Sequence, residues 1–142
     1  MPRTGVVVLM AILAAAAPSL ARAAVTEDSF KLRNTADFVD VCSAAPSDPL
    51  YTAAIHFCEG FAVGVYRVLE AHQAALPHRW FCPAGEPPTR TQGIADFVAW
   101  ARATPDQMAA QPTDSILAFL IAKDPCPQAP TRTRTRGKGH TS

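Results

Sequence analysis

Apolar and polar positions alternate with a helical period along most of the chain. Phe38, Val41 and Cys42 recur at i, i+3, i+4 spacing behind Asn34-Thr35-Ala36-Asp37, a cap residue followed by an acid where the helix dipole favours one. This predicts a short first helix, ended by residues 43–47. Asp48-Pro49 restarts the pattern, because Asp accepts from free N–H groups and Pro suits the first helical position. From Leu50 to about Ala75 no proline intervenes. Ala54, Cys58, Phe61, Val65, Val68 and Leu69 fall on one face of this stretch, with Tyr51, Ile55, Ala62 and Tyr66 beside it. So wide an apolar stripe predicts a long central helix with neighbours on several sides.

Residues 76–90 are rich in proline and read as a loop that carries Trp80, Phe81 and Cys82. Thr89-Arg90-Thr91-Gln92 has capping-box spacing and opens a third helix, with Ile94, Phe97, Val98 and Ala101 as its stripe, stopping near Thr104-Pro105. Pro112-Thr113-Asp114 opens a fourth, whose Ile116, Leu117, Leu120 and Ile121 are core candidates before Lys123 and Asp124-Pro125-Cys126-Pro127 end it. No segment has the period of a strand. The expected fold is all-α, a small disulfide-stapled bundle of about four helices around one long central helix.

The ends differ from the middle. Arg3, an apolar run over residues 5–17 and Ala21-Arg22-Ala23 form the pattern of a secretory signal peptide, with cleavage expected after Ala23. The apolar run falls short of the ~20 residues that span a bilayer, and no cysteine stands at the cleavage point to carry a lipid. The expected product is therefore an exported protein with no membrane attachment. Residues 24–33 are a short polar lead, 34–127 the helical domain, and 128–142 a basic tail of Thr-Arg repeats expected to be disordered. Residues 24–127 hold seven basic against twelve acidic side chains, a net of −5. An acidic body argues against nucleic acid as a partner and suits a cationic one.

Export and an even cysteine count make two disulfides the default among three pairings. In antiparallel helices, Cys82 after the long helix and Cys126 after the last one lie at the same end. That leaves Cys42 for Cys58, two turns into the long helix, if residues 43–48 descend alongside it. Gly60 and Gly64, each costing about 1 kcal/mol relative to alanine, call for a close approach at mid-helix unless the helix simply tolerates them.

Catalytic and metal chemistry find no support in the spacing. His56, His72 and His78 do not form a ligand pair in a compact loop with any cysteine, and paired cysteines leave no nucleophilic thiol. Glu59, Glu70 and Glu86 are not spaced to work as paired carboxylates. No cofactor is expected, and an enzyme is the last-ranked reading. His78, Arg79, Trp80 and Glu86 in the proline-rich loop are the candidate partner-binding residues, because Trp and Arg are enriched in binding hot spots. An equal alternative is that Trp80 and Phe81 roof the core beside a disulfide.

Cys58-Glu59-Gly60-Phe61-Ala62-Val63-Gly64-Val65 resembles the Cys-x-Gly-aromatic-x-x-Gly-Val helix of the Rap/Tai family, with Phe61 where tyrosine is usual. Phe81-Cys82-Pro83 is similar to that family's Phe-Cys-x-Pro loop, one residue tighter, and Pro125-Cys126 to its closing Pro-Cys. The resemblance implies an all-helical periplasmic immunity protein associated with type VI secretion, which neutralises a secreted cell-wall amidase effector by occluding its active site. In that reading Gly60, Gly64 and the four cysteines are structural. The alternatives are a stand-alone periplasmic domain with a structural or chaperone-like role, and a homodimer as the partner state.

Overall fold

A computed structural model describes residues 24–127. The expected signal peptide and basic tail lie outside the described residues. Five α-helices follow a short 3-10 turn at Glu27–Lys31: α1 (Thr35–Cys42), α2 (Tyr51–Ala74), α3 (Arg90–Ala103), α4 (Pro105–Ala109) and α5 (Pro112–Lys123). Among the described residues there is no strand, and no helix is long and apolar enough to cross a membrane.

Local chemistry sets the helix starts. Asn34 accepts from the Asp37 N–H at 3.0 Å to cap α1. Before α2, Asp48 accepts the Leu50 N–H at 2.8 Å and, with its other oxygen, the Val25 N–H at 2.9 Å. Thr89 and Gln92 form the expected reciprocal capping box on α3. Pro105 and Pro112 occupy first-turn positions of α4 and α5, where a missing N–H has no cost.

The core gathers Phe38, Val39 and Val41 of α1, Ala54 and Cys58 of α2, Phe81 of the loop, Phe97, Val98 and Ala101 of α3, and Ile116, Phe119 and Leu120 of α5. Aromatic rings run through it: Phe38 meets Phe61 at 4.9 Å and Phe97 at 5.6 Å, and Phe97 meets Phe119 edge-on at 5.6 Å. One polar knot is also buried. Thr35 donates to Ser115 Oγ at 2.8 Å, and Ser115 in turn reaches the Gln107 carbonyl at 3.1 Å. Both hydroxyl residues are fully buried.

Several expectations are corrected. The polar lead is not featureless: Val25 is buried, and Phe30 of the 3-10 turn packs edge-on against Phe57 at 5.3 Å. The third helix stops at Ala103, as expected near Thr104-Pro105, but the chain turns at once into a further short helix, α4. That turn delivers Gln107 and the Ala110 carbonyl to the Thr35–Ser115 knot. Val68 and Ile121, taken as core, are 68% and 41% exposed, while Phe119 and Ser115 take inward positions on α5. The long helix packs against α1, α3 and α5, with Phe30 on Phe57 and Phe81 beside Tyr66. No atom lies within 4 Å of a Cβ built on Gly60 or Gly64, so no close approach arises within the described chain.

Candidate functional site: the loop after the long helix

Two disulfides close the domain, Cys42–Cys58 and Cys82–Cys126, with Cα separations of 5.2 and 4.8 Å. This is the pairing that the helix geometry predicts. All four described cysteines are used, and among the described residues no group of three His, Cys, Asp or Glu is placed to hold a metal ion.

The second bridge belongs to the loop joining α2 to α3. Its first half is held at three points. Gln73, buried in the last turn of α2, accepts the Trp80 and Phe81 N–H groups on one side-chain oxygen at 3.2 and 3.3 Å. Phe81 is fully buried, 6.1 Å from the Tyr66 ring. The Cys82 N–H donates to the Asp124 carbonyl at 2.8 Å, beside the bridge to Cys126. A proline-rich segment gains its order here from tertiary anchors, since it has no ladder or helix of its own.

The candidate residues fall into two groups. His78 and Arg79 are exposed, and Trp80 is half-buried with its ring 5.4 Å from His72. Trp80 thus roofs the core with one face and remains partly open to solvent. Arg79 lines a cleft of about 280 Å³ with Tyr66, Glu70, Gln73 and Pro83. Burial pushes the Tyr66 phenol up, with the Glu70 carboxylate adding to the effect, so it stays a neutral hydrogen-bonding group there. Glu86 stands apart. Residues 83–90 are all exposed, and among the described residues no hydrogen bond or ion pair reaches Glu86. Gly85 makes the turn of this outer half with φ of +79°, a conformation that favours glycine.

A second cavity of about 320 Å³ lies between α2 and α3 beside the Cys42–Cys58 bridge, floored by Ile55, Ile94 and Val98 and edged by Glu59 and Arg102. Arg102 is tied across it to Ser43 Oγ at 2.8 Å. No pair of carboxylates, no nucleophile with a base and no ligand set appears in either cleft. What the molecule presents is a loop with a fixed base and a free outer half.

The model of the Rap1a immunity proteins matches residues 34–126, from the cap of α1 to the last cysteine. The chain belongs to that family. No match is found among curated proteins, and none among solved structures. Both disulfides, the loop and α2–α5 fall inside the Rap1a match, while the 3-10 turn lies before it. Membership implies an immunity role, exercised by binding a toxin effector. Gln73 is the site residue that sequence reasoning missed. A lone glutamine near a helix end gives no signal by itself, and its role depends on the loop folding back onto it.

Proposed function

We propose that this chain is an exported immunity protein that binds a peptidoglycan amidase effector delivered by type VI secretion and blocks its active site with residues 76–90. The observation that carries the reading is the anchored loop of a Rap1a-family domain. Its base is fixed by Gln73, Phe81 and the Cys82–Cys126 bridge, Thr89 caps α3 at its far end, and residues 84–87 between them are exposed. Binding with a pre-ordered loop avoids much of the ordering cost that a free segment would carry. A plug needs reach and an anchored base rather than catalytic groups, and the loop supplies both.

The test is inhibition of the cognate amidase at equal stoichiometry, followed by loop variants. Arg79→Ala with Trp80→Ala, and separately a Gly-Ser replacement of residues 84–87, should each weaken inhibition by about 100-fold or more, as expected for residues at the centre of an interface. Folding should be retained in the second variant, because nothing internal depends on residues 84–87. Unchanged inhibition in both would remove the loop from the mechanism. Failure to inhibit any peptidoglycan amidase would remove the amidase.

A further inference from the structure

The cleft between α2 and α3 holds charges that the fold does not use. Its apolar floor of Ile55, Ile94 and Val98 is kept in shape by the Cys42–Cys58 bridge, which ties the end of α1 to α2. Ala95 and Ala99, exposed and one turn apart on α3, line it with short side chains that leave it open. Two opposite charges edge it. Glu59 is half-buried, and among the described residues no hydrogen bond or ion pair reaches its carboxylate. A carboxylate against apolar surface has lost part of its water, and here no protein group replaces it. Arg102 gives one donor to Ser43 Oγ at 2.8 Å, and no ion pair among the described residues takes the others.

We propose that this cleft binds a small zwitterion with an aliphatic body, a free amino acid of the leucine class. Its ammonium meets Glu59, its carboxylate meets Arg102, and its side chain lies on Ile55, Ile94 and Val98. The charges select the class. A cation alone would set its charge beside the Arg102 guanidinium, and an anion alone would set its own beside the Glu59 carboxylate. A ligand that carries both meets each with its opposite, through charge-assisted hydrogen bonds. The backbone within a polypeptide segment offers only neutral amides to that pair, so a free amino acid is the better match. The volume sets the size. A cleft of about 320 Å³ has the space of about ten waters at ~30 Å³ each, which one aliphatic amino acid fills and a tripeptide exceeds. Bound there, the ligand joins α2 to α3 across the cleft and adds its binding energy to the stability of the fold. The cleft shares no residue with the 76–90 loop, so this site stands whether or not that loop blocks an effector.

The test titrates the full chain, produced with both disulfides formed, with L-leucine up to about 20 mM and follows the backbone amide chemical shifts. Saturable shifts centred on residues 55–59 and 94–102 are expected, with a Kd of about 0.1–1 mM for so small a ligand. The thermal midpoint should rise with leucine concentration over the same range. Isoamylamine and isocaproate keep the aliphatic body with one charge each, and both should bind at least tenfold more weakly. Leucine should lose at least tenfold in affinity for Glu59→Gln and for Arg102→Gln. Ala99→Leu, a change at an exposed position, should abolish binding and leave the midpoint of the unliganded chain unchanged. Absence of saturable shifts at the highest leucine concentration overturns the proposal. Equal binding of either singly charged probe overturns it too, as does leucine binding that is indifferent to both charge variants, since only apolar contact would then be at work.

Discussion

Replacing Gln73 by leucine probes the loop anchor directly. The side chain is 6% exposed, and its oxygen takes the Trp80 and Phe81 N–H groups. Leucine preserves the packing volume but accepts nothing. Phe81 is 0% exposed, so its amide cannot turn to water, and a buried donor without a partner costs about 1–3 kcal/mol. Trp80 is only half-buried and its amide rehydrates at a smaller cost. The sum is about 2–4 kcal/mol, against the 5–15 kcal/mol that holds a domain of this size together. With a urea slope of about 1–3 kcal/mol/M, the unfolding midpoint should fall by about 1–2 M. Hydrogen exchange at the amides of residues 80 and 81 should accelerate well beyond the change at Val41 or Ala101. Gln73→Glu keeps an acceptor in place, so those two amides should retain protection even where a buried carboxylate lowers global stability. A midpoint shift below about 0.3 M, or unchanged exchange at 80 and 81, would refute the claim that Gln73 fixes the loop.

Other consequences are open to the same kind of measurement. Ser115→Ala removes the centre of the buried knot that joins α1, α4 and α5, and should cost about 1–3 kcal/mol in chemical denaturation; combining it with Thr35→Val should cost less than the two single losses added, because they share one hydrogen bond. In the loop-closure model, replacing Cys42 and Cys58 by serine should cost about 3 kcal/mol and replacing Cys82 and Cys126 about 4, following their sequence separations of 16 and 44. A reversed order in calorimetry would show that local packing outweighs closure. The Arg33 guanidinium, bonded to the Asp37 carboxylate at 3.0 Å, holds that carboxyl below its usual range. A depressed carboxyl stabilises the fold above about pH 4, and that contribution fades as pH falls through the folded value. Arg33→Ala should therefore flatten the acid side of the stability profile, and a parallel profile would contradict this. Glu86→Ala, at an exposed position with no partner, should change stability by less than about 0.5 kcal/mol.

Much of this fold is legible in the chain because its helix boundaries are written in short-range chemistry. Asn34, Thr89 and Pro112 mark starts that need only their nearest neighbours, and the structure places helices there. The disulfide pairing follows from helix order and direction alone. What the sequence conceals is which side of an apolar helix turns inward. On α2 every face carries apolar residues, so periodicity could not separate the buried Cys58 from the open Val68. Packing decides it: Phe38 and Phe81 select one stripe, and the opposite one stays open. The same limit explains α5, where Phe119 lies inward and Ile121 outward although both fit a helical stripe. The short helix after Thr104 was hidden for a different reason. Proline breaks one helix and begins another with equal ease, and only the demand of Thr35 and Ser115 for partners shows which happened here.

The candidate site was legible as a location and not as a mechanism of support. Proline content marks residues 76–90 as a loop, and Arg79 and Trp80 make it the candidate for partner contact, with roofing of the core as the equal alternative for Trp80. The division inside it follows from burial: Phe81 and Cys82 are held by the core and the bridge, while residues 83–90 are exposed throughout. These halves face opposite constraints. A change at Phe81 opens a cavity against Tyr66 and should cost about 3–5 kcal/mol if truncated to alanine. A change at Ala84, Glu86 or Pro87 meets only solvent. An immunity protein has to keep its scaffold while its contact surface fits one effector. In the proposed function the loop would meet that need, because its base is anchored through Cys82, Thr89 caps α3 at its far end, and the exposed residues 84–87 between them would be free to vary. Exchanging residues 83–88 for those of another Rap1a-family chain should then transfer effector preference with little loss of stability. Unfolding of such a chimera would show that the outer half supports the fold after all.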